Sequence, residues 1–201
     1  MVKKVYIATS RNIGEACKEW AQSNMIEGFE ITNKQEDCDI FISVLYDKLI
    51  PISFIKSRKC FNFHPGILPQ YRGAGVYSWA IINGEDKTGI TLHLIDDGID
   101  SGDIIEVRAF PIDKSKDTAQ TLFDRGNKIM FMMFKNWFHM LLKNDYTAIK
   151  QDETKAGIYY RKDLTSIKDL TKYIRALTFD NKESAYYLNN SGDKVYIEFK
   201  K

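Results

Sequence analysis

Three features that mark specialised protein classes are scarce in this 201-residue sequence. It has only three cysteines, Cys17, Cys38 and Cys60, and none are spaced as C-x-x-C, so we expect reduced thiols without a disulfide framework or zinc site. Its 29 basic and 27 acidic residues nearly cancel, unlike the clustered positive charge of nucleic-acid-binding proteins. Internal repeats and low-complexity segments are missing as well. The sequence therefore indicates a globular protein that binds no nucleic acid.

A long hydrophobic run is also missing. The most apolar segment, IMFMMFKNWFHMLL at 129–142, is shorter than the ~20 residues that span a bilayer, and it contains Lys135 and His139. At the amino terminus, MVKKVYIAT places basic residues before an apolar stretch that is too short for a signal peptide. We therefore expect a cytoplasmic protein without membrane contact, in which residues 129–142 form a buried helix.

Strands and helices alternate along residues 1–150, according to the periodicity of the apolar residues. This order predicts a Rossmann-like open, mainly parallel sheet with flanking helices. No G-x-G-x-x-G motif follows the first strand, which disfavours a dinucleotide-binding oxidoreductase. The predicted strands are 4–9, 29–32, 39–45, 59–63, 89–96 and 104–112, and the predicted helices begin at 12, 50, 74 and 117.

Residues 151–201 are predicted to form a small carboxyl-terminal appendage. The segment DLTSIKDLTKYIRAL at 163–177 has apolar residues at heptad-like spacing and predicts a helix. The segment SAYYLNNSGDKVYIEF at 184–199 has two aromatic-rich arms around a polar turn and predicts a β-hairpin. We therefore expect a domain over 1–150 followed by a helix and a hairpin.

Polar side chains follow a predicted buried strand in FNFHPGILPQYRG at 61–73. Asn62 and His64 are two residues apart and so lie on one face of the strand. Asp100 follows another strand, and strand ends of an open α/β sheet meet at one edge. An amide donor, an imidazole and a carboxylate suit acyl transfer to an amine, because one fixed donor to the oxyanion is worth ~3 kcal/mol. In this scheme Asp100 either holds His64 protonated or removes the proton that the amine loses.

The same residues also have simpler interpretations. Asn62 and His64 could only satisfy the backbone of the following turn. Asp97, Asp100 and Asp103 could be ordinary loop acids or a metal loop, although the downstream glutamate of a calcium loop is missing. Composition alone does not decide between these interpretations and catalysis.

A continuous pattern of motifs extends from Asn62 to about Ile105. It reads N-x-H-P-x-x-L-P-x-Y-R-G, then A-I-x-x-G, T-G-I-T-L-H and I-D-S-G-D-I. This pattern resembles the signature of the folate-dependent formyltransferases, the superfamily of methionyl-tRNA and glycinamide ribonucleotide formyltransferases. Weaker similarity brings the resemblance to about three quarters of the chain. The resemblance implies the formyltransferase fold and a catalytic triad of Asn62, His64 and Asp100.

The resemblance further implies N10-formyltetrahydrofolate as the formyl donor, with no metal. In this superfamily the pterin lies between the loop before the catalytic strand and the loop that carries the aspartate. A flat ring with an amide-like edge suits an apolar slot lined by backbone groups. The corresponding cofactor-binding residues are Tyr46, Asp47, Lys48, Leu49 and Ile50 in the first loop and Ile95, Asp96, Asp97, Gly98 and Ile99 in the second.

The segments RGAGVYSWAIING and LHLIDDGIDSGDII are most similar to those of sugar N-formyltransferases. This similarity implies an acceptor such as a dTDP- or GDP-linked 3- or 4-amino-6-deoxyhexose, used for surface polysaccharides such as O-antigen and lipopolysaccharide. The terminal helix and hairpin resemble an appendage through which some of these enzymes dimerise, so a homodimer is expected. Candidate acceptor-binding residues are Arg72 for phosphate, Tyr77 and Trp79 for stacking, and Arg11 for an anion.

Two alternatives remain within this resemblance. One is a formyltransferase for another small amine such as glycinamide ribonucleotide, and the other is a non-catalytic relative that only binds folate or a nucleotide. The chain also departs from the superfamily, which places roughly a hundred residues before the catalytic asparagine where this chain has 61. This difference predicts that a strand–helix unit is missing between the first helix and residue 39.

Overall fold

The computed structural model describes residues 2–164, 169–189 and 191–197. The strands are β1 (Lys3–Thr9), β2 (Phe29–Ile31), β3 (Ile40–Val44), β4 (Lys59–His64), β5 (Arg72–Gly73), β6 (Lys87–Leu94), β7 (Ile104–Pro111), β8 (Ile158–Tyr159), β9 (Tyr186–Leu188) and β10 (Lys194–Tyr196). The helices are α1 (Asn12–Ser23), α2 (Ile52–Lys56), α3 (Val76–Ile82), α4 (Ala119–Lys143) and α5 (Leu170–Leu177).

Six strands form one sheet in the order β2-β1-β3-β4-β6-β7. β1 pairs in parallel with β2 and β3, and β3 pairs in parallel with β4. β6 runs antiparallel to β4, and β7 runs antiparallel to β6. The predicted open, mainly parallel sheet with flanking helices is therefore confirmed, and its β6–β7 edge is antiparallel.

Helices cover both faces of the sheet because its central strands are apolar on both sides. On one face, Cys17 of α1 and Phe134 and Phe138 of α4 are buried against the strands. On the other face, Phe41 packs against Phe54 of α2 with ring centroids 5.4 Å apart. None of the described helices combines the length and apolarity needed to cross a membrane.

The carboxyl-terminal helix is tied to the main body by buried hydrogen bonds. Arg175 Nε donates to the carbonyl of Asp117 over 2.6 Å, and Ser78 Oγ donates to the carbonyl of Ala176 over 2.5 Å. The predicted helix is confirmed from Leu170 onward, and residues 165–168 of that prediction lie outside the described residues.

The predicted hairpin is confirmed by antiparallel pairing of β9 with β10. Residues 190, 198 and 199 of that prediction lie outside the described part of the chain.

Two other features concern the segments that connect the strands. β5 and β8 form a small parallel sheet that the sequence did not predict. The connection from β2 to β3 contains a short 3-10 helix at Gln35–Asp37, at the place where the sequence predicted a shortening.

Candidate active site

The predicted Asn62, His64 and Asp100 come together at the edge of the sheet where β4 ends. Both β4 residues face the same side, as the period of two requires. Asp100 lies in the loop between β6 and β7, with a left-handed φ of +49°. Asn62 Nδ2 donates to Asp100 Oδ1 over 3.2 Å, and His64 Nδ1 lies 3.4 Å from Asp100 Oδ2. The side chains of two separate chain segments therefore converge on one point.

The imidazole of His64 is buried and has a defined tautomer. Its Nε2 lies 2.6 Å from the carbonyl oxygen of Tyr71. Because a carbonyl can only accept a hydrogen bond, Nε2 carries the proton, and the Nδ1 lone pair of a neutral ring points toward Asp100. Burial lowers the pKa of His64 below its usual value and outweighs the opposing effect of Asp100. The neutral form of the ring is thus favoured near pH 7, and this form can accept a proton. This disfavours the interpretation in which Asp100 holds His64 protonated.

Asp100 is held as an ionised carboxylate. Burial alone would raise its pKa, but the charge that His64 carries when it is protonated, together with the backbone N–H of Gly73, holds the pKa of Asp100 well below its usual value. The Gly73 N–H donates to Oδ2 over 2.9 Å. Each carboxylate oxygen therefore accepts an N–H donor, from Asn62 at Oδ1 and from Gly73 at Oδ2.

His93 also belongs to this site, although the sequence did not single it out. Its Nδ1–H donates to the carbonyl of Leu94 over 2.6 Å, so its Nε2 is free to accept from Asn62 Nδ2 at 3.1 Å. In the antiparallel register of β4 and β6, Asn62 lies opposite His93. Apolar residues alternate along GITLHLID at 89–96, a pattern that predicts Thr91 and His93 on the same strand face, but only the strand pairing brings His93 next to Asn62.

Two clefts open beside these side chains. The first, here called the loop cleft, has a volume of about 250 Å³ and lies between the loops at 45–50 and 95–99. Asn62 and Asp100 line both clefts, so the clefts meet at the triad. The predicted cofactor-binding residues that line the loop cleft are Tyr46, Lys48, Leu49, Ile50, Ile95, Asp96, Asp97, Gly98 and Ile99.

Asp47 is the exception among the predicted cofactor-binding residues. It lines the other cleft, where its carboxylate accepts a hydrogen bond from Ser10 Oγ at 2.5 Å. This bond to the loop after β1 turns the side chain of Asp47 away from the loop cleft. The hydrogen bond from Ser10 also lowers the pKa of Asp47.

The second cleft, here called the aromatic cleft, has a volume of about 360 Å³. Phe123 of α4 and Phe179 line it and pack edge to face, with ring centroids 4.9 Å apart. Arg11, Arg161 and Lys182 also line it and bring positive charge to its walls. The cleft therefore combines two partly buried rings with cations beside the triad.

Tyr77, one of the predicted acceptor-binding residues, lines the inner wall of the aromatic cleft. It is buried, and burial raises the pKa of its hydroxyl. Gly126 in the middle of α4 makes room for it, because a Cβ there would lie 2.0 Å from the Tyr77 hydroxyl oxygen. A glycine inside a helix costs ~1 kcal/mol relative to alanine, and this close approach explains its presence.

The structure places two of the predicted acceptor-binding residues, Arg72 and Trp79, outside the lining of both clefts. The buried guanidinium of Arg72 is bound by Gln151 at 2.8 Å and Glu153 at 2.7 Å, so it makes internal contacts in place of the expected phosphate contact. Trp79 is partly buried, with its ring centroid 5.2 Å from that of Tyr159 and its Nε1–H donating to the carbonyl of Tyr160 over 3.0 Å. In the described ranges, no group of three or more His, Cys, Asp or Glu side chains is arranged to bind a metal.

Family models match two parts of this chain. The model described as "Formyl transferase" matches residues 16–134, which contain the triad and most of both clefts. The chain belongs to the formyltransferase family. A second model, described as the "N-formyltransferase dimerization C-terminal domain", matches residues 162–200. This second match covers α5 and the hairpin.

The curated members of the formyltransferase family that match this chain do so over only part of their own length. It is 33% identical to the methionyl-tRNA formyltransferase of Malacoplasma penetrans over 161 residues, which is 79% of this chain and 48% of that protein. The chain spans about half the length, or less, of the curated relatives it matches.

Solved formyltransferase structures match the chain along most of its length. A sugar N-formyltransferase from Shewanella superposes with a TM-score of 0.85 over 98% of this chain and 97% of its own, and at 21% identity this shows the common fold. The N-formyltransferase from Helicobacter canadensis, in complex with folinic acid and dTDP-3-aminofucose, has a TM-score of 0.77 and 25% identity. That match covers 89% of this chain and 81% of the other.

Proposed function

We propose that this protein transfers a formyl group from N10-formyltetrahydrofolate to the amine of a nucleotide-linked 3- or 4-amino-6-deoxyhexose. The observation that carries the proposal is the meeting of two clefts at Asn62 and Asp100, with His64 beside them. A transferase needs this arrangement because donor and acceptor must approach one reacting carbon from different sides. Membership of the formyltransferase family supports the reaction type.

We assign the loop cleft to the pteridine of the donor. Its walls combine apolar side chains such as Ile50 and Ile95 with the backbone of two loops, which suits a flat ring with a hydrogen-bonding edge. The Helicobacter canadensis protein was crystallised with folinic acid, a reduced folate, and its similarity supports a folate donor.

We assign the aromatic cleft to the nucleotide sugar. Phe123 and Phe179 offer rings for stacking on a base, while Arg161, Lys182 and Arg11 offer charge for a diphosphate. Arg161, Lys182 and the two rings replace Arg72 and Trp79 as the residues that we expect to hold the acceptor. The dTDP-3-aminofucose bound by the Helicobacter canadensis protein supports this substrate class.

In the proposed reaction, the neutral amine attacks the formyl carbon and forms a tetrahedral oxyanion. His64 Nδ1 takes the proton that the amine nitrogen loses, and the resulting imidazolium is stabilised by Asp100. Both N–H bonds of Asn62 point to Asp100 and His93 in the free protein, and the oxyanion takes the place of one of these acceptors. The bond from the formyl carbon to N10 then breaks, and N10 receives the proton from His64, which yields the formamide and tetrahydrofolate.

As part of the same proposal, the reaction takes place in the cytoplasm and supplies a formylated sugar for a surface polysaccharide such as O-antigen or lipopolysaccharide. Cys17, Cys38 and Cys60 are free and buried, which suits a reducing compartment.

Binding measurements on separate variants test the assignment of the two clefts. In isothermal titration calorimetry, Lys182→Glu and Phe179→Ala should each weaken dTDP binding about tenfold, because a charge pair or a stacked ring is lost, and leave folinic acid binding unchanged. Ile50→Asp should weaken folinic acid but not dTDP. Lys128→Glu, an exposed change outside both clefts, is the matched control. Competition between the two ligands for one site would contradict the assignment.

We further propose that the carboxyl-terminal hairpin joins two copies of the chain. The matching family model describes a dimerization domain, and Tyr187, Leu188 and Tyr196 of the hairpin are 54%, 61% and 54% exposed. Exposed apolar patches of this kind mark protein interfaces. The double change Tyr187→Glu and Leu188→Lys should shift the protein from dimer to monomer in light scattering. Ile149→Lys, which alters an apolar residue elsewhere that is 75% exposed, should leave the dimer intact.

A further inference from the structure

Gln151 is a buried side chain that uses both ends of its amide close to the triad. Its Nε2 donates to the carbonyl of Asp100 over 2.8 Å and to the carbonyl of Gly102 over 2.7 Å. Its Oε1 accepts from Nε and Nη2 of Arg72 at 3.1 and 2.8 Å. All the hydrogen-bonding capacity of one side chain is therefore used between the Asp100 loop and Arg72.

Arg72 connects this amide to a second contact of Asp100. It is followed by Gly73, whose N–H donates to Asp100 Oδ2 over 2.9 Å. Gly73 has a φ of +92°, and a Cβ at this position would lie 2.3 Å from the carbonyl oxygen of Tyr159. The backbone at 72–73 is thus fixed against β8, so Arg72 offers Gln151 a rigid anchor.

The backbone of Asp100 needs such support. Its φ of +49° is left-handed, a conformation that costs a residue with a side chain about 1 kcal/mol or more and persists only when surrounding contacts hold it. Gln151 binds the carbonyl groups on either side of Ser101, and Gly73 binds the carboxylate. The main chain and the side chain of Asp100 are therefore held by separate contacts.

We propose that Gln151, anchored by Arg72, is a positioning residue that holds Asp100 against His64 for formyl transfer. This inference rests on the proposed function, since the position of Asp100 matters for the rate only if the triad is catalytic. Gln151 touches neither cleft and acts through Asp100 alone. It also places an essential contact in the segment 151–201, which the sequence indicated as a separate appendage.

The variant Gln151→Glu tests this role with the smallest change in shape. A glutamate keeps an acceptor for Arg72 but loses the two N–H donors and turns a carboxylate oxygen toward the carbonyls of Asp100 and Gly102. We expect kcat for formyl transfer to fall about 10- to 100-fold, because a misplacement of an active-site group by about 1 Å can cost ~10²-fold. The KM values of both substrates should change less than about twofold, because neither cleft is touched.

Glu153→Gln is the matched control. The largely exposed carboxylate of Glu153 accepts a hydrogen bond from Arg72 Nη2, and Glu153 is not among the residues that contact Asp100 or line the clefts. Removing the charge of Glu153 should therefore leave kcat unchanged. Circular dichroism and thermal melting establish that each variant folds. Gln151→Met, which is of similar length and carries no charge, takes the place of Gln151→Glu if that variant is unfolded.

A second readout needs no turnover. With ¹³C-labelled histidine, NMR titration follows His64, which faces Asp100 and His93. In Gln151→Glu we expect the pKa of His64 to fall further, because Asp100 moves away from it, whereas Glu153→Gln should titrate like the wild type. An unchanged titration and kcat in Gln151→Glu would overturn the positioning role. A wild-type protein without transfer activity would instead reject the proposed function, and the titration would still test the contact.

Discussion

Replacing His64 with alanine is expected to lower kcat for formyl transfer by about 10²- to 10⁴-fold, the contribution of a well-placed general base. Burial lowers the pKa of His64 and so favours the neutral ring, whose Nδ1 lies 3.4 Å from the carboxylate of Asp100. Without it the amine nitrogen loses the neutral imidazole that takes its proton in the proposed reaction. The measurement is single-turnover transfer from N10-formyltetrahydrofolate, followed by the release of tetrahydrofolate.

His139→Gln is the matched control for this variant. His139 lies on α4, where its Nε2 bonds the carbonyl of Asn24 at 2.6 Å, away from the triad. The control should retain the wild-type rate even if its stability falls. A His64→Ala protein that is folded and transfers formyl groups at the wild-type rate would remove His64 from the mechanism.

Replacing Asp100 with asparagine is expected to lower kcat by about 10²- to 10³-fold, through two effects. First, the imidazolium that forms on His64 loses its negative partner at 3.4 Å. Second, both oxygens of Asp100 accept N–H donors, whereas an asparagine has one oxygen, so its NH₂ group must face either Asn62 or Gly73. The side chain then moves from its position. Single-turnover kinetics measure the loss, and an unchanged rate in a folded variant would contradict this account.

The pH dependence of Asp100→Asn separates the two effects. In the wild type, activity requires neutral His64 and should fall as the pH drops through the pKa of that ring, which burial places below its usual value. Removing the Asp100 carboxylate removes the effect that opposes burial, so the acid limb of kcat/KM should move to lower pH. The ionisation of the acceptor amine is common to both proteins and cancels in the comparison.

The site could be predicted from the sequence where it depends on local geometry. The two-residue spacing of Asn62 and His64 fixes a common face on any strand, and the loop at 45–50 follows β3, which ends at the same edge as the parallel β4. β6 instead runs antiparallel to β4, so the loop at 95–99 borders the triad only through the register that sets Asn62 opposite His93. Asp47 differs because its side chain bonds Ser10, which comes from a loop 37 residues away. A hydrogen bond of this kind leaves no local signal in the sequence.

The remaining differences have the same physical origin. Arg72 has the charge of a phosphate-binding residue, but Gln151, 79 positions later, makes it an internal contact. His93 joins the site only through the antiparallel register of β4 and β6. The aromatic cleft depends on Phe123 and Phe179, which lie on separate elements and meet only in the folded chain. Pairings between distant segments decide all three, and periodicity carries no information on them.

We propose that Asn62, His64 and Asp100 catalyse the transfer of a formyl group to an amino sugar. The most direct test incubates wild-type and His64→Ala protein with N10-formyltetrahydrofolate and a panel of dTDP- and GDP-linked 3- and 4-amino-6-deoxyhexoses. Glycinamide ribonucleotide and methionyl-tRNA serve as competing acceptors, and mass spectrometry reads each product. We predict the gain of one formyl group on a nucleotide sugar with the wild type and almost none with His64→Ala. Formylation of a competing acceptor alone, or of none by folded wild-type protein, would contradict the claim.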